Sequence, residues 1–128
     1  MFDHIGFPVA DYSRSKAFYL QALAPLGCGL VKEISPEQTG GQGYGGFGVQ
    51  GRPQFWIGTG AAIRGQLHVA FAAKDRAAVR AFYDAALKAG GKDNGQPGLR
   101  PHYHANYYGA FILDPDGHNV EAVCHLPE

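Results

Sequence analysis

The feature that most constrains this chain is that it repeats itself. Laying His4–Cys28 over His68–Lys92, an offset of 64 residues without a gap, gives nine identities in 25 positions. They are His4/His68, Phe7/Phe71, Asp11/Asp75, Ala17/Ala81, Phe18/Phe82, Tyr19/Tyr83, Ala22/Ala86, Leu23/Leu87 and Gly27/Gly91. The offset is half the length of 128 residues. The chain therefore reads as two copies of one module of roughly 60 residues. Module one spans about 1–62 and module two about 66–126.

Each copy reads the same way. A short strand comes first, Phe2–Val9 and then Leu67–Ala72. Asp11 or Asp75 follows as a helix N-cap that accepts otherwise unbonded backbone N–H groups. In copy two Val79, Phe82, Tyr83, Ala86 and Leu87 fall on one helical face. The helix stops near Gly27, or Gly90-Gly91, where glycine suits the C-terminal cap. Further strands come next. Tyr107–Leu113 and Asn119–Cys124 flank the turn sequence Asp114-Pro-Asp-Gly, and Gly45–Val49 and Gln54–Ile57 flank a shorter Gly-Arg-Pro turn. The fold class is α+β, each module being a strand, a helix and two or three strands with antiparallel pairing among the later ones. The glycines of Thr39–Gly48 read as a flexible loop or a tight set of turns.

Composition narrows the function classes. Hydrophobic residues make up 45%, enough for a core, and Lys+Arg balance Asp+Glu at 11 each. A neutral chain offers no electrostatic reason to bind nucleic acid or an anionic membrane. No apolar run approaches the roughly 18 residues of a membrane helix. The N-terminus enters a strand without the features of a signal peptide. Two cysteines, Cys28 and Cys124, suit a reducing compartment, and the expected location is cytoplasmic.

Strand alternation places the candidate chemistry. Ile5, Phe7 and Val9, or Val69 and Phe71, share the apolar face that suits a helix. His4 and His68 fall on the opposite face, at equivalent positions. In the last strand Val120, Ala122 and Cys124 share one face and Glu121 and Val123 the other. A carboxylate in so apolar a strand costs several kcal/mol to bury unless a cation or proton accompanies it. A single histidine on a strand is more often a surface or hydrogen-bonded residue than a ligand. Its recurrence at the equivalent position, and the isolated Glu121, favour a metal held by two imidazoles and a carboxylate. That donor set leaves positions open for substrate. By the same alternation Cys124 faces away from Glu121. His118, in the turn, and His125, near the end, read as surface residues.

With these residues in view, the sequence resembles the glyoxalase/bleomycin-resistance/extradiol-dioxygenase, or vicinal-oxygen-chelate, superfamily. The resemblance rests on His4-Ile-Gly-Phe-Pro-Val followed by a helix with Ala17-Phe18-Tyr19, and on the ending Asp114-Pro-Asp-Gly-His-Asn-Val-Glu121. It covers essentially the whole chain. It implies one glyoxalase-like domain over 1–128, built from two tandem βαβββ modules that form a sheet cup. It implies one divalent metal (Zn, Fe, Mn, Ni or Co) on His4, His68 and Glu121, a small-molecule substrate with vicinal oxygens, and a homodimer.

The departures from the family's patterns shape the expected chemistry. Glyoxalase I proteins usually carry a fourth, carboxylate ligand in the last strand of module one. Here that position holds Trp56 or, by a one-residue slip, Ile57, with Gln54 the only nearby oxygen donor. A three-ligand site follows. The resemblance to extradiol dioxygenases places His104 as a catalytic histidine, with Phe111 where those enzymes carry a tyrosine. Tyr108 is then a candidate catalytic substitute, and Trp56, His102, Tyr103 and Tyr107 are candidate substrate-binding residues. The expected activity is metal-dependent lyase, isomerase or dioxygenase chemistry. The competing expectation is a bleomycin-resistance-type protein that binds a small molecule in an aromatic cleft without catalysis.

Overall fold

The computed structural model describes residues 1–128. Module one runs β1 (Ile5–Val9), α1 (Tyr12–Leu23), a 3-10 turn (Ala24–Leu26), β2 (Gly29–Ile34), α2 (Pro36–Thr39), β3 (Tyr44–Val49) and β4 (Arg52–Thr59). Module two runs β5 (His68–Ala72), α3 (Arg76–Lys88), β6 (Lys92–Leu99), β7 (Tyr108–Leu113) and β8 (Asn119–Cys124). Each module makes its own four-stranded sheet, in the orders β1-β4-β3-β2 and β5-β8-β7-β6. The first strand pairs parallel with the last, and the later neighbours pair antiparallel. No helix is long and apolar enough to cross a membrane.

The caps form as the sequence indicates. Asp11 accepts from the Arg14 amide at 3.1 Å and Asp75 from the Ala78 amide at 2.8 Å. Gly27, in the left-handed region, returns its N–H to Ala24 O. On the helix side of sheet one, Phe7, Val9, Phe47, Phe55 and Ile57 pack with Phe18, Tyr19, Ala22 and Leu23 of α1. On the helix side of sheet two, Ala110, Ile112, Val120, Ala122 and Cys124 meet Val79, Phe82 and Ala86 of α3. Helices α1 and α3 touch each other, so these residues merge into a single core of 18 side chains. Fully burying a large apolar side chain stabilises by about 1.5–3 kcal/mol, so this shared core joins the modules firmly.

Three local expectations are corrected. Strand β1 begins at Ile5, not Phe2, and Met1 and Phe2 are exposed. The expected strand Gly45–Val49 forms, starting one residue earlier at Tyr44, so the loop-or-turn reading of Thr39–Gly48 does not hold for its second half, where neighbours occupy the space that side chains would fill. A Cβ on Gly45 would meet the Tyr12 hydroxyl at 2.7 Å, and one on Gly46 the Trp56 ring at 2.8 Å. Third, His118 is only 3% exposed. Its ring meets the edge of Phe7 at 5.5 Å, because the β7–β8 turn is pressed against module one.

That turn carries the polar link between the modules. Tyr19 of α1 donates to Asp114 Oδ2 at 2.6 Å, while Asp114 Oδ1 accepts the amides of Asp116 and His118 at 2.9 Å each. Asp116 in turn accepts from the Ala10 amide at 3.1 Å and from Arg14 at 3.4 Å. Burial first, then Asp114, pushes the Tyr19 phenol well above its ordinary pKa, so it remains a donor.

The link leaves β1 and β5 as the free ends of their sheets, with no ladder between them. An apolar cavity of about 350 Å³ opens there, lined by Ile5, Phe47, Phe55, Val69 and Phe71 among others. Ile5 is 45% exposed at its mouth.

Candidate metal centre

Glu121 is 1% exposed, on the helix-free face of sheet two. The ladder puts Ala70 on one side of it and Phe111 on the other. The Tyr107 hydroxyl donates to Glu121 Oε2. Gly109 makes room for this contact: a Cβ there would lie 3.1 Å from Oε2 and 3.2 Å from the Tyr107 ring. Burial first, then the carboxylate, raises the Tyr107 pKa, so the phenol keeps its proton. One oxygen of Glu121 is thereby satisfied from within the chain.

The other oxygen faces His68. Nε2 of His68 lies 3.0 Å from Glu121 Oε1, and Nδ1 lies 2.9 Å from the backbone carbonyl of Asn119. A carbonyl can only accept, so Nδ1 carries a proton. In the neutral ring Nε2 then presents a lone pair to a carboxylate oxygen. Two acceptors at that distance require a cation between them, either a proton or a metal. A histidine whose outer nitrogen donates to a carbonyl, so that its inner nitrogen is free, has the orientation of a metal ligand. Donors about 2.1 Å from one ion and at right angles to each other lie about 3.0 Å apart. The donor chemistry and spacing of this pair fit a divalent metal.

His4 does not join this pair within one chain. No three His, Cys, Asp or Glu side chains converge anywhere in the molecule. The His4 side chain is 59% exposed and pairs only with Asp3, at 2.6 Å. It adjoins the free strand β1, as His68 opens the free strand β5. The repeat's symmetry is thus present in position, but the linked modules leave the two histidines apart.

The ladder decides between the two alternatives for Glu121's counterpart. Gly6 pairs with Trp56 where Ala70 pairs with Glu121, so Trp56, not Ile57, is the equivalent residue. Its indole covers Gly46. Gln54 falls on the same helix-free face.

The remaining candidates separate by face. Tyr108 lies on the helix side of sheet two, where its hydroxyl accepts from Arg80 at 3.3 Å and Arg76 lies over its ring at 5.2 Å. It therefore points away from Glu121, whereas its neighbour Tyr107 points at it. The Tyr107 ring lies between Tyr103, at 5.1 Å, and His125, at 5.1 Å. His102 lies against Tyr103 at 4.2 Å, and His104 meets His125 edge to face at 5.5 Å. His104 Nδ1 accepts from the Asn106 amide at 3.1 Å, so its neutral form carries the proton on Nε2. Tyr107, expected to bind substrate, instead donates to Glu121, and His125, read as a surface residue, is exposed and packs against the Tyr107 ring.

A sequence profile of the Glyoxalase/Bleomycin resistance protein/Dioxygenase superfamily matches residues 1–122. No curated protein matches the sequence. A glyoxalase/bleomycin resistance protein from Albidiferax ferrireducens superposes with a TM-score of 0.79 at 28% identity, covering 98% of this chain and 99% of that one. A glyoxalase/bleomycin resistance protein/dioxygenase family enzyme from Burkholderia phytofirmans superposes with a TM-score of 0.70 at 19% identity, over 97% and 98% of the two chains. Glyoxalase I from Zea mays gives 0.67 at 23% identity, over 95% of this chain but 45% of that one. The last two likenesses speak to fold alone. The profile, spanning nearly the whole chain, shows that this protein belongs to the Glyoxalase/Bleomycin resistance protein/Dioxygenase superfamily.

Proposed function

We propose that the protein is a divalent-metal-dependent enzyme acting on a small substrate with vicinal oxygens, and that its site is completed between two copies. His68 and Glu121 of one chain and His4 of a second copy would hold the metal. The observation that carries the reading is the pair His68 Nε2 and Glu121 Oε1, 3.0 Å apart, two acceptors that need a cation between them once the neutral ring commits its one N–H to Asn119 O. The homodimer is supported by the free edges of β1 and β5, each with its histidine, and by the apolar gap between them. Copies that exchange edges would bury Ile5 and bring His4 to the open side of the pair.

A bound divalent ion supplies Lewis-acid stabilisation of an enolate-like or catecholate-like anion. The chain's own residues do the rest. Tyr107 holds Glu121 Oε2 and leaves Oε1 free. Asn119 O fixes the His68 ring. His104, with its proton on Nε2 and its ring against His125, is the group that would move a proton during turnover. Tyr103, His102 and Trp56 would shape the cleft. The family includes glyoxalases and dioxygenases, and the choice between isomerase or lyase and oxygenase chemistry turns on which metal is native.

The test is the metal content of protein purified without added metal, beside Glu121→Ala. About one equivalent per chain in the wild type and loss in the variant supports the reading. Iron or manganese points to oxygenation, and zinc, nickel or cobalt to isomerase or lyase chemistry. If neither protein takes up metal on titration, the reading fails. The apolar cavity lined by Phe47, Phe55 and Phe71 then favours a binding protein of the bleomycin-resistance type.

A further inference from the structure

Phe111 stands where a polar residue would be expected beside the metal pair, and its surroundings explain what an apolar ring does there. Its ring lies roughly parallel to His68, with centroids 6.2 Å apart and planes at 25°. The guanidinium of Arg100 lies over the same ring, 5.4 Å from its centroid. Arg100 and His68 are thus both held against one aromatic platform.

The seat of Arg100 is built. Nη1 donates to Gly98 O at 2.9 Å and Nη2 to Gln96 O at 2.7 Å. A Cβ on Gly95 would lie 3.2 Å from Nη2 and 2.9 Å from Phe111, and one on Gly98 would lie 3.2 Å from Nη1. Gly95 has φ of +154°, in the region that favours glycine. Strand β6 changes register twice around this point. The chain therefore bends β6 and omits two side chains to place one guanidinium on the helix-free face.

No carboxylate pairs with that charge. The ion pairs elsewhere engage Arg14, Lys16 and Arg76, and no carboxylate lies within 4.0 Å of Arg100. Two carbonyls fix the plane of the fork but leave its charge and its remaining N–H groups unmatched. A cavity of about 330 Å³ opens over it, walled by Asn94, Tyr103, Phe111 and Asn119. Asn94 and Asn119, hydrogen-bonded to each other at 3.1 Å, also wall a second cavity of about 400 Å³ that contains His68. The two spaces thus share Asn94 and Asn119 as a common wall.

We propose that Arg100, with Asn94 and Asn119, is the subsite for a carboxylate on the substrate. The substrate is then an anionic small molecule, its oxygen pair at His68 and Glu121 and its carboxylate across Phe111. This deepens the proposed function and rests on it for the placement of the oxygen pair. A planar fork matches a planar carboxylate better than a point charge does, and partial burial strengthens the contact.

The test uses glutarate as probe, with neutral glutaramide and methylphosphonate as controls. Calorimetric titrations are run on the full-length protein with and without zinc. Glutarate is expected to bind, and glutaramide and methylphosphonate to bind at least about ten-fold more weakly. Arg100→Gln should lower glutarate affinity by about ten-fold or more, with Arg100→Lys intermediate, while zinc uptake stays at the wild-type level. Asn94→Ala, at an exposed position, should weaken glutarate in the same direction and keeps the test alive if Arg100→Gln does not fold. Equal binding of glutarate and glutaramide, tighter binding of methylphosphonate than glutarate, or wild-type glutarate affinity in the folded variants would overturn the subsite. Protein that takes up none of zinc, iron, manganese, nickel or cobalt yet binds glutarate through Arg100 would support the subsite and overturn the metal reading.

Discussion

Tyr19 Oη and Asp114 Oδ2, 95 positions apart in sequence, meet at 2.6 Å across the boundary between the two modules. Both residues belong to motifs that suggest family membership, and neither touches the metal centre. Their bond fixes how one chain packs its own modules. That packing leaves β1 and β5 open and keeps His4 away from Glu121.

Tyr19→Phe removes the bond and leaves a buried acceptor with only its turn partners. The expected cost is about 2 kcal/mol, or a fall in Tm of roughly 8 °C for a domain of this size. Tyr83, its counterpart in the repeat, takes no part in the link, so Tyr83→Phe should lower Tm less. Thermal melts of the two variants followed by circular dichroism make the comparison.

Glu33 gives a prediction on the acid side. Hydrogen bonds from Lys16, at 2.7 Å, and from Tyr12, at 2.6 Å, hold its carboxyl below its ordinary value. A carboxyl whose folded pKa is depressed binds protons more readily when unfolded. Its stabilisation is therefore complete above the ordinary carboxylate range near 4.5 and is lost as pH falls through the folded value. Wild type should exceed Glu33→Gln by about 0.5 kcal/mol at pH 7, a small figure because the group is partly exposed. Urea titrations from pH 7 down to about 3 should show the two curves converging.

Trp56 is the only tryptophan, so its fluorescence reports on the counterpart of Glu121 without interference. Gly46→Ala would drive a Cβ to within 2.8 Å of the indole. Displacing the ring should shift its emission to longer wavelength and cost about 1–3 kcal/mol. An unchanged spectrum and stability would mean that the indole does not lie over Gly46.

Much of this was legible in the sequence. The repeat gave two modules because equivalent residues do equivalent work, Asp11 and Asp75 as caps and Phe18 and Phe82 as core. Strand alternation placed His68 and Glu121 on one face because the period of a strand is fixed by its backbone. Relations between distant segments were not legible. His118 read as a surface residue because nothing local says that its turn docks on Phe7. Strand β6, with Gly, Pro and Asn, has no apolar alternation, and its register shifts around Gly95 have no local signature. The adjacent Tyr107 and Tyr108 were not told apart, because their faces depend on the register of β7 against β8. Nor does sequence symmetry reveal whether equivalent positions meet within one chain or between two.

The most direct test of the shared metal site is complementation between defective subunits. A chain carrying His4→Ala is co-expressed with a differently tagged chain carrying His68→Ala and Glu121→Ala, and the mixed dimer is isolated through both tags. If His4 serves the other copy, the mixed dimer regains one intact site and should hold about one metal ion per two chains, while each variant alone holds none. A mixed dimer as empty as its parents, beside a wild type that binds metal, would contradict a site shared between copies.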